Sequence, residues 1–185
     1  MEEAGKIRRG YFVAGLGATQ FAMPGALDLL RSLRDSGPAA PHGGEDVEVV
    51  VLAATDPANP YGATLKWPAF AASAEVASAA KAGRGPTRSV GATVILVNGA
   101  LAAYLARGDR LLLTFLPDAE PDRSKVGRAI ARALIERARG GIESPRGMLI
   151  EEIDGEPPAT HPLSPHLAEA GFIAGALGYQ ARLAR

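Results

Sequence analysis

The stretch Val90–Leu116, VGATVILVNGALAAYLARGDRLLLTFL, contains three apolar runs separated by two pairs of turn-forming residues. The pairs are Asn98 with Gly99 and Gly108 with Asp109, residue types that accept the positive φ of tight hairpins. Apolar runs between such turns predict strands. The stretch therefore predicts a three-stranded antiparallel meander, and it is the strongest β signal in the chain.

The segments on either side predict further strands and helices. Apart from Glu48 and the terminal Thr55, the segment Val47–Thr55 is apolar and rich in β-branched residues, which is typical of a strand buried on both faces. Asp118–Gly141 repeats apolar residues at helical spacing and ends at two glycines, so it predicts an amphipathic helix. The opposite side of this helix is basic and carries Arg123, Lys125, Arg128, Arg132, Arg137 and Arg139. In Ser164–Gly171 the first residue is predicted to cap a short helix and the last to follow its end.

Weaker patterns complete the expected fold. They are strands in Gly147–Gly155 and Gly178–Leu183, a helix after Pro24, an irregular loop over Asp56–Pro68, a Gly- and Pro-rich connector over Asp35–Asp46 and a possible short helix in residues 69–88. Strands in meanders, mixed with about three helices, predict an α+β fold. We expect an antiparallel, curled or barrel-like β-sheet with a few packed helices.

The opening stretch Gly5–Gly25, GKIRRGYFVAGLGATQFAMPG, combines glycines, arginines and aromatic residues. Tyr11–Ala14 and Thr19–Met23 are strand-like, and the glycines between them allow a hairpin. A dinucleotide-binding loop would need a glycine where Gln20 stands and a helix where the second strand is predicted. The arginines and aromatic residues are candidates for nucleic-acid contact, because arginine binds phosphate and aromatic rings stack on bases, but a tight hairpin without a ligand explains them equally well.

Composition limits the classes of partner. Lys plus Arg and Asp plus Glu each number 20, so the net charge is zero and any surface for nucleic acid must be local. Cysteine is absent, which excludes disulfides and thiolate metal sites and suits a cytoplasmic protein. Apolar runs fall short of the roughly 20 residues that span a bilayer, and the start lacks the apolar core of a signal peptide. We expect a cytoplasmic protein with no membrane partner.

Three histidines and a group of carboxylates are the remaining candidates for chemistry. His161 and His166 lie five residues apart around two prolines, and His42 lies in a Gly- and Pro-rich segment. Two nearby histidines can begin a metal site, but surface-loop positions explain them better without cysteines or a regular helix. We expect no metal.

The carboxylates admit two interpretations each. Glu151, Glu152 and Asp154 could perform acid–base chemistry or bind magnesium, or they could form a solvated strand end and turn, which we favour. Asp56 could act as a base, but an aspartate before proline at a strand end more often starts a turn.

Four stretches, in chain order, resemble the large helicase-related (Lhr) family of bacterial ATP-dependent helicases. They are GKIRRGYFVAGLGATQFAMPGALDLLR, AATDPANPYGATLKWP, VILVNGALAAYLARGDRLLLTF and HLAEAGF. In that family two RecA-like motor domains precede a winged helix and a β-rich carboxy-terminal module, the DEAD/H associated region. The motor motifs have no counterpart here, so the resemblance implies that ATP and magnesium would bind motor domains outside this chain and that the chain itself holds no cofactor.

The resemblance implies a domain organisation. Residues 1–23 would be the end of a winged helix with its wing hairpin, and residues 24–185 the helicase-associated α+β domain. It further implies that part of the winged helix precedes residue 1. The expected function is that of a non-catalytic accessory domain that supports single-stranded nucleic-acid binding by the motor.

The expected partners are single-stranded DNA or a DNA/RNA hybrid, and helicase motor domains in cis or in trans. The candidate contacts are Arg8, Arg9, Tyr11 and Phe12 in the wing, with Arg128 and Arg132 on the basic helix face. For the helix, a solvated face is the alternative. Two rival functions remain: a glycosylase-like DNA-repair module, whose family motif contains glutamine, and a protein-interaction or oligomerisation module. No catalytic residue is assigned, since Gln20 and Gln180 have no adjacent acid.

Overall fold

The computed structural model describes residues 6–35, 47–68, 85–140 and 147–181. Within these ranges the chain is a mixed α+β protein, as predicted, and it separates into two compact units, Met1–Gly44 and Glu45–Arg185. The predicted connector after residue 35, with His42, and residues 69–84 of the possible short helix lie outside the described residues. In the described parts, no helix is long and apolar enough to cross a bilayer.

The elements are numbered in chain order. The strands are β1 (Arg8–Gly10), β2 (Gln20–Ala22), β3 (Val49–Ala53), β4 (Thr93–Val97), β5 (Ala100–Leu105), β6 (Leu111–Thr114), β7 (Met148–Ile150), β8 (Glu152–Ile153), β9 (Phe172–Gly175) and β10 (Gly178–Ala181). The helices are α1 (Ala26–Asp35), α2 (Asp122–Arg139) and α3 (Ser164–Ala170), with a 3-10 turn at Pro158–Thr160.

The described part of the first unit, residues 6–35, consists of a hairpin and a helix. β1 and β2 pair antiparallel and α1 follows, so the predicted hairpin and helix are confirmed. The assignment of Tyr11–Ala14 to the first strand is wrong, because the ladder ends at Gly10 and residues 11–19 form a loop. The backbone groups of this loop find a side-chain partner instead of a strand, as described below.

The second unit is built on a five-stranded sheet in the order β3-β4-β5-β6-β8. The predicted meander is confirmed as β4, β5 and β6, which pair antiparallel, whereas β8 pairs parallel with β6. Asn98 and Gly99 adopt φ values of 49° and 78°, so the turn between β4 and β5 needs two left-handed residues. The predicted turn chemistry thus explains the register of the central strands.

A helical layer and a second small sheet cover this sheet. The buried face of α2 packs against it, and α3 and the antiparallel sheet β7-β10-β9 complete the core. Its largest fully buried side chains include Ile95, Leu105, Leu112, Ile130, Leu134, Ile150, Ile153, Leu163 and Leu167. The helix predicted over residues 118–141 is confirmed, because its apolar stripe is the face that the core buries.

Three expectations about strands and caps are wrong. The strands of the described residues divide among three sheets, none of which closes into a barrel, because the outermost strands β3 and β8 do not pair. β3 is not buried on both faces, since it lies at the end of the sheet and Val51 is 43% exposed. Ser164 does not cap α3, because its hydroxyl bonds the Tyr179 hydroxyl; Gly171, with φ of 107°, does follow the helix end.

The irregular loop after β3 is confirmed and is held by a single guanidinium group. Arg88 donates hydrogen bonds to the carbonyl oxygens of Asn59 at 2.6 Å and of Thr55 and Asp56 at 3.1 Å each. The Asp56 carboxylate accepts from the Ala58 amide at 2.8 Å, so Asp56 starts a turn as predicted.

Candidate nucleic-acid interface

The register of the wing hairpin decides which of its side chains lie together. Arg9 lies opposite Phe21 and Arg8 opposite Ala22. Successive residues of a strand point to opposite faces, whereas directly opposed residues share one. Arg9 therefore shares its face with Phe21, whose side chain is 53% exposed, and Arg8 lies on the other face. The four predicted wing residues therefore do not form one surface. Phe21 was not predicted as a contact, because its position opposite Arg9 follows only from the register of the two strands.

The two predicted aromatic residues have different environments. Tyr11 is 64% exposed, and its hydroxyl accepts a hydrogen bond from the Gly15 amide at 3.2 Å. The Phe12 ring packs against Gly10, where an added Cβ would lie 2.8 Å from the ring. The ring of Tyr11 is thus available for stacking, whereas that of Phe12 covers its own hairpin.

One amide side chain organises the wing loop. The Gln20 Oε1 accepts from the amides of Phe12 and Val13 at 2.9 and 2.8 Å, and its Nε2 donates to the carbonyls of Val13 and Gly17 at 2.9 and 2.7 Å. All four hydrogen-bonding positions of the amide are filled. These bonds replace the strand-to-strand hydrogen bonds that Tyr11–Ala14 lacks. The sequence did not predict that Gln20 would hold the loop.

Substitution of Gln20 by leucine is expected to loosen the loop without unfolding the second unit. Four hydrogen bonds are lost at similar side-chain volume, and each contributes about 0.5 to 1.5 kcal/mol net. We expect hydrogen exchange at the Phe12 and Val13 amides to accelerate at least about tenfold. The matched control is Gln180→Leu at an exposed position of β10. Unchanged exchange at both wing amides would contradict the role of Gln20.

The arginines of α2 divide into structural and free groups. Arg123 donates to the carbonyls of Pro117, at 3.0 Å, and Asp118, and Arg137 pairs with Asp109 at 3.2 Å. In contrast, no hydrogen bond or ion pair within the described residues engages three exposed side chains of the helix. They are Arg128, Arg132 and Arg139. The predicted basic face is therefore narrower than the sequence indicated.

The start of α2 is stabilised by a carboxylate. The Ser124 amide donates to the Glu120 Oε2 at 3.1 Å. Hydrogen bonds from the Ser124 side chain and backbone lower the pKa of Glu120, and the charges of Arg123 and His166 act in the same direction. An ionised carboxylate at this end also complements the helix dipole.

The grouped carboxylates are separated by the fold. Glu151 pairs with Arg110 at 2.5 Å at the surface, whereas Asp154 is 4% exposed. The prediction of a solvated strand end is thus wrong for Asp154, since the chain turns inward there. Among the described residues, no group of three His, Asp or Glu side chains could hold a metal.

Asp154 is the centre of a buried polar network. Its Oδ1 accepts a hydrogen bond from the Thr114 amide at 2.7 Å. Its Oδ2 accepts one from the Thr114 hydroxyl at 2.6 Å and lies 2.9 Å from the His161 Nε2. The His161 Nδ1 accepts from the Leu163 amide at 3.1 Å, so the ring proton lies on Nε2 and donates to Asp154. The surface-loop prediction for His161 is wrong, because this network draws the ring inward.

His166 is likewise no surface-loop residue, because it lies on α3 and packs its ring on α2. A Cβ added at Gly127 would lie 2.6 Å from this ring. The His166 Nδ1 is buried, lacks a hydrogen-bond partner within the described residues, and lies 3.7 Å from the Glu169 Oε2. The glycine therefore allows α3 to bring His166 beside Arg128 and Arg132.

Comparison with known proteins identifies relatives over both units. Residues 1–42 match the model of the large helicase-related protein winged-helix domain. The chain is 44% identical over 156 residues to "Lhr helicase/ probable uracil glycosylase" of Mycolicibacterium smegmatis, a match covering 83% of this chain and 9% of the relative. It is 34% identical over 178 residues to "Lhr helicase/uracil glycosylase" of Escherichia coli, covering 96% of this chain and 10% of the relative.

The resemblance found in the sequence is confirmed by these matches. The chain spans about a tenth of the length of the curated relatives it matches. It belongs, over this segment, to the large helicase-related family.

Proposed function

We propose that this chain is a non-catalytic accessory segment of an Lhr-type ATP-dependent DNA helicase, supporting single-stranded nucleic-acid binding by the motor. The winged-helix match covers residues 1–42, so we place the end of the winged helix at the end of the first unit rather than at residue 23 as expected from the sequence, and the second unit would be the DEAD/H associated module. ATP and magnesium would bind the motor domains, which act in cis or in trans. The pairing of Arg9 with the exposed Phe21 on one face of the wing is the observation that carries this proposal.

This face has the two chemical groups that single strands need. A guanidinium group binds phosphate, and an exposed ring stacks on any base. Tyr11 offers a second exposed ring close by in the same hairpin. Because the net charge of the chain is zero, such contacts must act locally rather than through a general field.

Titration of fluorescent oligothymidylate at two salt concentrations tests the wing. Loss of one phosphate contact in Arg9→Ala is expected to weaken binding and to lower the salt slope by about 0.7. Phe21→Ala is expected to weaken binding by about 5- to 150-fold without changing the slope, because stacking is worth about 1 to 3 kcal/mol per base. Arg8→Ala, on the other face, is expected to have the smaller effect of the two arginine variants.

The matched control is Arg31→Ala, since Arg31 is an exposed arginine of α1 in the same unit. Absence of binding at low salt, or equal affinities of the Arg9→Ala and Arg31→Ala variants, would overturn the wing proposal. Absence of binding would favour a scaffold role. A sedimentation mass above that of the monomer would then identify the chain as an oligomerisation module.

Base excision is a second candidate because both relatives carry uracil glycosylase in their names. The carboxylate of Asp154 is an unsuitable catalyst, since three donors occupy it and the residue is 4% exposed. We therefore expect no abasic product from uracil-containing DNA incubated with this chain. Product above the level of a heat-denatured sample would replace the accessory role with an enzymatic one.

A further inference from the structure

A groove between α2 and α3, within the second unit, gathers positive charge. Its volume is about 350 Å³, and it is open to solvent. The charged and titratable side chains that line it are Arg128, Arg132, Glu136, Arg139, His166 and Glu169. Three permanent cations thus face two carboxylates.

The three arginines form a row rather than a cluster. The helical rise of about 1.5 Å per residue separates Arg128 from Arg132 by about 6 Å and Arg132 from Arg139 by about 10 Å along the axis. Such a row fits a ligand with repeated negative charges better than a single anion. Arginine is also the side chain best suited to phosphate, because its planar fork donates two parallel hydrogen bonds.

The arginines of the groove are available to a ligand. Arg123 and Arg137 of the same helix are held by carbonyls and by Asp109, whereas the guanidinium groups of the groove have no such partner within the described residues. The exposed Glu136, one turn from Arg132, forms no ion pair with it. Binding to these three arginines would therefore break no hydrogen bond or ion pair of theirs that the described residues form.

The wall opposite the row is rigid and contains an unsatisfied polar atom. His166 is fixed against Gly127, and its neighbour Leu167 is fully buried. Within the part of the chain that the structure describes, the His166 Nδ1 has no hydrogen-bond partner, which is costly for a buried polar atom, and the Glu169 Oε2 lies 3.7 Å away.

We infer that the groove between α2 and α3 is a second nucleic-acid contact, which binds the sugar–phosphate backbone of a single strand without reading its bases. The inference rests on the proposed function and adds a site to it. The groove has no exposed aromatic ring among its lining residues, so it positions the strand rather than stacking its bases.

The test compares two double variants of the whole chain in the oligothymidylate titration. Arg128→Ala with Arg132→Ala is expected to weaken binding at least about tenfold at low salt and to lower the salt slope by about 1.4, for two lost phosphate contacts. The control, Arg107→Ala with Arg110→Ala, removes the same charge from exposed arginines of the same unit and is expected to change affinity less than about twofold. Thermal unfolding of both variants checks that they are folded.

Nuclear magnetic resonance of the histidine rings separates the two sites. The His166 ring signals are expected to shift on addition of oligothymidylate, in the unmodified chain and in Arg9→Ala, whereas those of His161, which does not line the groove, stay in place. Equal affinities of the two double variants, or an unmoved His166 signal at saturation, would overturn the proposal that the groove binds nucleic acid. A loss in the groove variant but none in Arg9→Ala would overturn the wing proposal and support the groove.

Discussion

Substitution of Asp154 by asparagine is expected to lower the free energy of unfolding of the second unit by about 2 to 4 kcal/mol, since each unsatisfied buried donor costs about 1 to 3 kcal/mol. The amide keeps the shape but replaces one acceptor oxygen by a donor. Thr114 directs two donors at this carboxylate and His161 directs one. Because the Leu163 amide donates to the His161 Nδ1, the proton of His161 lies on Nε2, which faces Asp154. At least one donor therefore loses its acceptor whichever way the amide turns.

The choice of asparagine isolates the hydrogen bonds from the backbone. Asp154 has φ of 53°, a left-handed conformation that asparagine also adopts at little cost. The matched control is Glu151→Gln, which breaks the exposed pair with Arg110, a pair worth about 0 to 1 kcal/mol. Urea unfolding, followed by the fluorescence of Trp67, measures both. Coincident urea midpoints for the two variants would show that the network contributes nothing.

Substitution of Gly178 by alanine is expected to cost about 2 to 5 kcal/mol, from left-handed strain of about 1 to 2 kcal/mol and overpacking of about 1 to 3 kcal/mol. Gly178 has φ of 125°, and an added Cβ would overlap the carbonyl oxygen of Ile150 and lie 3.0 Å from the Cα of Glu151. Both obstacles are backbone atoms, which a rotamer change does not relieve. The three-stranded sheet would have to open between β10 and β7.

Gly175→Ala is the matched control within the same hairpin. Its Cβ would lie 3.7 Å from the carbonyl oxygen of Gly178, an ordinary contact, and the residue has no positive φ. Urea midpoints again compare the two variants, and the control is expected to change stability by less than about 0.5 kcal/mol. A midpoint for Gly178→Ala equal to that of the control would contradict the close approach of the strands.

Local patterns predicted the parts of the fold that local physics determines. Asn98–Gly99 and Gly108–Asp109 mark the meander because few other residues accept left-handed backbone, and the apolar stripe of α2 repeats at helical spacing. β9 was not predicted. It is a short strand that pairs with β10 alone in its sheet, and it follows α3 after one residue.

The site depended on contacts that the sequence does not encode locally. Arg8 and Arg9 are neighbours in sequence and face opposite ways, because the pleat separates adjacent side chains. Asp154 is held inside by hydrogen bonds from Thr114, forty residues away in the sequence, and Asp154 in turn holds the His161 ring. Arg128 and Arg132 were predicted as exposed cations. The groove that they form with His166 of α3 was not predicted, because it depends on how two helices pack.

The four hydrogen bonds of Gln20 have a further consequence for recognition. A loop of this length would ordinarily lose conformational entropy on meeting a ligand, at about 1 to 2 kcal/mol for each residue fixed. Here the loop is already held by hydrogen bonds to the Gln20 side chain before any nucleic acid binds. The wing loop is therefore preorganised, and the nucleic-acid contacts proposed for Arg9, Phe21 and Tyr11 would be offset by little ordering of this loop.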